Sequence, residues 1–492
     1  MIENLIFGFE AAFTLTNLLF IAAGITLGIV IGAIPGLGSV TALAVLIPVT
    51  YYMSPITAIA FLVGVNKGGT SGGAIPAILL NSPGTPEAAA SALDGHPMAK
   101  TGEAVRAMKF ALYSSVTGDT ISDFLLIFLV VPFAAIALHF GPLEYTSVLL
   151  FAFALLAGIS GDSPLKGFIA IFVGVFLATV GLDPVDSSSR MTFDNVNLFD
   201  GLPLTALAIG ALALASIIEQ LFDLNRNPGK DRQAVDLAAQ ANTKLPAKEF
   251  FGYWKTIIRS ALIGSGVGML PGLGVTLAAF LSYGAARKAS KNPDRFGKGN
   301  PEGIIATEAA NSAVVGANLV PTIALGVPGN IAAALLIGAF IIHGIVPGPF
   351  MLTMHGDVIY ALFASMLMAN FIHLAIGRIG IPIWALVARS PKGLVLPPVI
   401  MMCIVGVYLP GQSWFDVGVM LVFAGLGLAM RRTGFPVVGL VIGFLLGSML
   451  ETSLRQSLLL YKSDFWVILE NPIALGFLLL TLFVLVRAAL KR

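Results

Sequence analysis

A single lysine stands out in a long stretch without other basic residues. Lys67 is the first Lys or Arg in the chain, and only Glu3 and Glu10 are charged before it. It sits in Asn66-Lys67-Gly68-Gly69-Thr70-Ser71-Gly72-Gly73, between apolar segments. A buried ammonium is costly and needs a partner or a ligand. With the hydroxyls of Thr70 and Ser71 and the glycine N–H groups of Gly68 and Gly69 beside it, a carboxylate is the natural ligand. The plainer alternative is a lysine that reaches an interface along its stem. No Gly-Lys-Ser/Thr follows at phosphate-loop spacing, so ATP hydrolysis is unsupported.

The second kind of chemistry lies in the backbone. Proline removes a donor and glycine removes steric screening, so a Pro-Gly pair within an apolar segment frees carbonyls and N–H groups. The half-helix that follows presents a partial positive charge suited to an anion, while unwound carbonyls suit a small cation. Such pairs recur. Gly28, Gly32 and Pro35-Gly36-Leu37-Gly38 reappear 236 residues later as Gly264, Gly268 and Pro271-Gly272-Leu273-Gly274. Asn66, Pro76, Ile78, Leu80 and Pro83-Gly84 reappear 245 residues later as Asn311, Pro321, Ile323, Leu325 and Pro328-Gly329. Two blocks in the same order indicate an internal duplication, and broken helices at matching positions of two halves point to a secondary transporter. Kinks and small-residue packing are the plainer reading of the same glycines.

Other polar residues cluster near these breaks. Asn81, Ser82 and Thr85 surround the first Pro-Gly break and Asn330 follows the second; they could bind a ligand or cap broken helices. Asn66 and Asn311 match across the repeat, which suggests a shared structural or cation role. Asp119 and Asp123 are four apart, on one helix face, and could carry protons or a cation or cap near an interface. Glu308 has the same two options. His139, His343, His355 and His373 show no ligand spacing.

These residues need a membrane scaffold. Only 11% of the 492 residues are Asp, Glu, Lys or Arg, against about 25% in a soluble domain, while 57% are hydrophobic. Mean hydropathy is +0.91. Composition therefore predicts an all-α polytopic membrane protein. It excludes a cytosolic enzyme, a disulfide scaffold (Cys403 is the one cysteine) and a nucleic-acid binder, since the net charge is +2. The 54 Gly and 28 Pro are too many for a plain bundle. With no basic start, the apolar N-terminus reads as mature structure rather than a secretory signal.

Charge sets the topology. Twelve Lys or Arg against four acids between Arg226 and Lys298 predict a cytoplasmic stretch, and Arg487, Lys491 and Arg492 a cytoplasmic C-terminus. Asp183, Asp186, Asp194 and Asp200, with Arg190 alone opposing them, predict an external loop. Crossing segments are expected near 114–137, 143–158, 165–181 and 203–219, then 357–377, 394–410, 415–430, 434–450 and 472–488. Arg389, Lys392, Arg431 and Arg432 mark inner turns. The chain divides into a first half over 1–224, a polar connector over 225–256 and a second half over 257–492. Phe250, Phe251, Tyr253 and Trp254, beside Lys248 and Lys255, predict an interfacial helix at the connector's end. Residues 260–286 carry no charge and are flanked by Arg259 and by Arg287, Lys288 and Lys291, so Pro271–Gly274 is expected at the tip of a re-entrant hairpin entered from the cytoplasm. Its counterpart over 18–52 has no basic flank and is expected to enter from outside. The repeats are thus expected to be inverted.

At Pro35-Gly36-Leu37-Gly38, Asn66 through Pro76, and Asn81-Ser82-Pro83-Gly84-Thr85-Pro86, the sequence resembles the large membrane subunit of tripartite tricarboxylate transporters, the TctA family. The resemblance extends over essentially the whole chain, including Pro271–Gly274 and Pro328–Gly329. It implies a bacterial inner-membrane permease for carboxylates that works with a small membrane subunit of about four helices and a periplasmic substrate-binding protein. Coupling to Na+ or H+, with no fixed cofactor or metal, and an elevator-like domain with two hairpins are likewise implied. On that basis Ser82, Pro83, Gly84, Thr85, Pro328, Gly329 and Asn330 are expected to hold the carboxylates, assisted by Lys67, Gly68, Gly69, Thr70 and Ser71. Carbonyls at Pro35, Gly36, Gly38, Pro271, Gly272 and Gly274, with Asn66 and Asn311, are expected to hold the coupling cation. An anion channel would need a continuous polar pore. An intramembrane enzyme would need a metal cluster or a Ser/His pair, and the sequence offers neither.

Overall fold

The computed structural model describes residues 2–159, 163–183, 187–226, 245–271, 274–462, 464 and 466–490. The connector residues 227–244, and Gly272 and Leu273, expected at the tip of the second hairpin, lie outside the described residues. Helices dominate, as composition requires. The first half contains α1 (Ile2–Ala12), α2 (Leu15–Gly32), α3 (Ser39–Leu46), α4 (Pro55–Gly72), α5 (Ala74–Leu80), α6 (Ala88–Met98), α7 (Ala104–Ala137), α8 (Pro142–Ile159) and α9 (Pro164–Ala178). A two-residue antiparallel ladder pairs Gly181 with Arg190 and Leu182 with Ser189. Then α10 (Leu204–Ala208) continues through a π-helical turn, Ile209–Leu214, into α11 (Ala215–Arg226).

The second half is helical as well. After α12 (Ala247–Phe251) come α13 (Trp254–Gly268), α14 (Gly274–Ala289), α15 (Pro301–Ala317), α16 (Leu319–Leu325) and α17 (Ile331–Ile342). Next are α18 (Met351–Met354), α19 (Gly356–Arg389), α20 (Lys392–Gly411), α21 (Trp414–Thr433), α22 (Val437–Leu460), α23 (Val467–Glu470) and α24 (Pro472–Leu490). Helices α5 and α16 fall at the 245-residue offset read from the prolines, and α7 and α19 are both 34 residues long. Eight helices among the described residues are long and apolar enough to cross a membrane, so the chain is a multi-pass membrane protein. The long crossings begin earlier or end later than their apolar cores: α7 starts ten residues before 114 and α19 ends twelve after 377. Helix α7 begins on a turn carrying Arg106 and Lys109, whereas α19 runs on through the apolar stretch Ile379–Ala388 to Arg389.

Small residues decide how the halves pack. In lipid there is little hydrophobic force between helices, so close backbone approach supplies the contact. Helices α2 and α4 run in the same direction, with Gly24, Gly28 and Gly32 interleaving Gly64, Gly68 and Gly72. A Cβ at Gly28 would collide with the Val65 carbonyl oxygen, and one at Gly72 would come within 2.8 Å of the Ile29 carbonyl. Helices α13 and α15 pair the same way: Gly264 abuts the Ala310 carbonyl, and a Cβ at Gly268 would meet Val314 and Ala317 at 3.0–3.1 Å. Two parallel helices force the chain between them to turn back. Between the parallel pairs lie α3 in the first half and α14 in the second.

The halves are interlocked. Helix α7 of the first half packs on α13, α15 and α16 of the second, while α19 packs on α2, α4 and α5 of the first. Helices α7 and α19 cross antiparallel: Asn370 meets Asp123, Gly377 meets Leu112, and Ile381 flanks Met108 around a small pocket. In the expected interfacial segment, α12 tucks Phe250 against Tyr113 of α7, while Phe251 and Trp254, the first residue of α13, are exposed. Glu249 pairs there with Arg106.

Candidate functional site

Four helix starts converge on one cavity of about 800 Å³. Gly38 and Ser39 bring the start of α3, Gly274 the start of α14, Glu87 the start of α6, and Asn330 and Ile331 the start of α17. Each start leaves backbone N–H groups without an intrahelical partner and carries roughly half a positive charge. Side chains meet part of that demand: Asn330 Oδ1 accepts from Ala333 N at 2.9 Å and Thr85 Oγ1 from Ala88 N at 3.4 Å. The opposite wall comes from Leu156 of α8, Leu212, Ser216 of α11, Arg431 of α21 and Val437 of α22. A volume of this size suits a small organic ligand.

The breaks are built alike. The short helices α5 and α16 both end on a left-handed residue, Asn81 (φ 50°) and Gly326 (φ 69°), which fall at the 245-residue offset. A left-handed cap suits glycine best and asparagine next, so Asn81 is placed by backbone geometry. Beyond the caps, Gly84 and Gly329 lie against the C-terminal ends of α2 and α13. A Cβ at Gly84 would sit 2.7 Å from the Gly32 carbonyl, and one at Gly329 2.7 Å from the Gly268 carbonyl.

The residues singled out by sequence separate into two groups. Thr70, Gly84, Thr85, Gly329 and Asn330 line the cavity, as do Gly36, Gly38, Asn66 and Gly274. Lys67, Gly68, Gly69, Ser71, Ser82, Pro83 and Pro328 are not on its wall, nor are Pro35, Pro271 and Asn311; Gly272 is outside the described residues. Asn66 and Asn311 are both buried, and the Oδ1 of each accepts no hydrogen bond among the described residues.

Lys67 is held elsewhere. Its fully buried Nζ lies 2.8 Å from Asp123 Oδ2, 3.4 Å from Asp119 Oδ1 and 2.8 Å from Asn370 Oδ1. The Asn370 amide also donates to Asp123 Oδ2 at 2.8 Å. The cluster joins α4, α7 and α19, so it fastens the two halves together. The i, i+4 spacing of Asp119 and Asp123 puts both on the face that meets Lys67. Glu308 is also buried, on α15, and accepts from Ser91 Oγ and, at 3.2 Å, from Ser115 Oγ.

Two charged residues outside the expected site also line the cavity. Arg431 lines the cavity with its side chain about a third exposed, 3.4 Å from Glu219 and from the Leu212 carbonyl. Near an inner turn it serves equally well as a topology marker, and nothing local reveals that it faces inward. Glu87 also lines the cavity, against Thr85 and, from α14 of the second half, Thr276. Its place directly after Pro86 is the signal that could have found it.

Residues 18–442 match the tripartite tricarboxylate transporter TctA family. The chain belongs to the TctA family. Membership makes it a component of a tripartite tricarboxylate transporter and not, by kinship, an enzyme. It is 33% identical over 478 residues to an uncharacterized 52.8 kDa protein in the TAR-I ttuC' 3' region of Agrobacterium vitis, covering 97% of this chain and 94% of that one. A second Agrobacterium vitis protein, in the TAR-II ttuC' 3' region, is 35% identical over 227 residues, which is 46% of this TctA chain and 94% of its relative. No solved structure matches.

Proposed function

We propose that the chain is the large permease subunit of a cation-coupled secondary transporter in the bacterial inner membrane. It imports tricarboxylates or related carboxylates delivered by a periplasmic binding protein, beside a small membrane subunit, and Na+ or H+ drives uptake. The observation that carries this reading is the convergence of four helix starts and Arg431 on one cavity. Positive backbone ends, the hydroxyls of Thr70 and Thr85 and the amide of Asn330 offer carboxylates several ligands at once. Lys67 would act from behind the wall, holding α4 in place.

Inverted repeats and an elevator-like movement of the two hairpins against α8–α11 and α20–α24 complete the proposal. Supporting it, α7 and α19 are antiparallel, and α6 and α17 leave the cavity toward different ends. Asp94 on α6 accepts N–H groups of Gly297, Gly299 and Asn300 at 2.8–3.0 Å, in a stretch charge assigns to the cytoplasm. His343, at the end of α17, lies 3.2 Å from Thr50. Contacts also join segments assigned to one side: Arg455 meets Asp183, and Arg190 meets Glu451, beside the external ladder. In a background lacking Cys403, cysteines introduced within 6–13 and 287–298 are expected to react with impermeant maleimide from opposite sides. Labelling from the same side would end the inverted arrangement.

The test of function is citrate uptake into proteoliposomes containing this chain, the small subunit and the binding protein, with Na+ and pH gradients imposed separately. Arg431→Gln is expected to weaken citrate binding about 10–100-fold, since a hydrogen bond to a charged group contributes ~1.5–3 kcal/mol. Flux indifferent to both gradients would favour a channel instead. Unchanged citrate affinity in Arg431→Gln would remove Arg431 from the site.

A further inference from the structure

Glu87 stands where a substrate anion is expected to go. It lines the cavity, half-buried at the start of α6. Its carboxylate lies against its own N–H, the Thr85 hydroxyl and, from α14, the Thr276 hydroxyl. Thr85 is set up for this contact. Its Oγ1 accepts from Ala88 N at 3.4 Å, which leaves the hydroxyl proton to donate. Its methyl packs against Gly38 and its hydroxyl against Gly73, so the side chain is held from both sides.

The ordinary roles of a glutamate do not account for this arrangement. A capping side chain accepts from the first-turn N–H groups of its own helix. The Glu87 side chain makes no such bond, and Thr85 takes the Ala88 N–H instead. A glutamate in an ion pair has a base beside it, and among the described residues only donors of hydrogen bonds act on Glu87. A cation between Glu87 and the two hydroxyls is disfavoured as well. The starts of α3, α6 and α14 meet at this cavity, and positive helix ends repel a cation. What remains is a carboxylate held as a carboxylate ligand would be, by hydroxyls from both halves of the chain at converging helix starts.

We propose that Glu87 is a tethered stand-in for the substrate. In the empty carrier its carboxylate fills one carboxylate subsite, and a substrate carboxylate displaces it to reach Thr85 and Thr276. This inference rests on the carboxylate-transport reading of the same cavity and adds an internal competitor to it. The exchange is of like for like. The hydroxyl protons that point at Glu87 turn to the arriving carboxylate, while the Glu87 side chain swings into a cavity of about 800 Å³ that has room for both. A competitor on a tether weakens binding, because only the fraction of carriers with the subsite open is competent. Its benefit lies in the empty state, where the donors at the cavity wall keep an acceptor.

A competitor and a ligand have opposite signs, and calorimetry with citrate on the purified full-length chain reads the sign. Glu87→Ala is expected to bind citrate about tenfold more tightly, the gain for a subsite filled roughly nine-tenths of the time. Glu87→Gln, which keeps the shape and loses the charge, is expected to tighten binding likewise should Glu87→Ala fail to fold. Glu87→Asp separates occupancy from plain repulsion. It keeps the charge, but one methylene shorter it no longer reaches Thr276, so it too should bind more tightly than wild type. Formate, small enough for the vacated subsite, should compete with citrate in Glu87→Ala and far less in wild type. Unchanged or weaker citrate binding in Glu87→Ala and Glu87→Gln would overturn the proposal. Tightening in both with wild-type affinity in Glu87→Asp would overturn it too, because charge repulsion alone predicts that pattern. Failure of the carboxylate reading looks different: neither wild type nor any Glu87 variant would bind citrate. The stand-in would then still be decided by formate, which should raise the aggregation temperature of Glu87→Ala more than that of wild type. No such difference would end it.

Discussion

Replacing Lys67 by methionine is expected to cost the fold before it costs any step of transport. The substitution leaves Asp119 and Asp123, four residues apart and both buried, facing each other without their shared cation. Removing one partner of a buried ion pair costs roughly 3–5 kcal/mol, because the remaining charge is stranded. The expected result is a large loss of monodisperse protein in detergent and a much lower aggregation temperature. Neutralising the whole cluster should reverse this. In Lys67→Met/Asp119→Asn/Asp123→Asn no charge is stranded, and replacing a buried ionic group wholesale is often neutral. The triple variant also settles what Lys67 does for the substrate. A lysine that only positions α4 leaves citrate binding largely intact in the triple variant, whereas a lysine that touches the carboxylate leaves a folded protein that binds none. Wild-type stability in Lys67→Met alone would refute the structural role.

The same cluster shows where sequence reading stops. The isolation of Lys67 is visible in the primary structure, and its need for a partner follows from solvation. The partners are not visible, because Asp123 is 56 and Asn370 303 residues away and only packing brings them together. Two partners were available in principle, loose substrate carboxylates or fixed aspartates, and elementary electrostatics accepts either. The breaks were far more legible. A Pro-Gly pair acts on its own backbone, so Pro83-Gly84 and Pro328-Gly329 announce themselves wherever the chain later goes. The matching offset strengthens the signal, since Asn81 and Gly326 answer the same left-handed requirement with different residues. Glu87 and Arg431 were hidden for opposite reasons. A carboxylate has the wrong sign for a ligand of the anion site proposed here, and an arginine at an inner turn already has an explanation.

Valine at Gly84 or Gly329 is expected to cripple substrate binding by the same amount from either half. At each position the added Cβ would come within 2.7 Å of a backbone carbonyl, that of Gly32 or Gly268. A carbonyl near the end of a helix cannot swing aside as a flexible side chain would, so the break must move away from the end of α2 or α13. Overpacking of this kind costs about 1–3 kcal/mol, and the displacement is delivered directly to the starts of α6 and α17 at the cavity wall. Citrate affinity measured by calorimetry should fall at least tenfold in each variant, as a loss of ~1.4 kcal/mol requires. Gly266→Val is the control, because Gly266 is exposed on α13 with nothing within 4 Å of an added Cβ. The double variant then asks whether the halves serve one ligand or two. If a single carboxylate compound bridges both breaks, the first substitution already forfeits most of the shared contact, and the second adds less than its own separate effect. Fully additive losses would mean that each half binds on its own. The cavity would then be two neighbouring sites, and the pairing of Gly84 with Gly329 a consequence of ancestry alone.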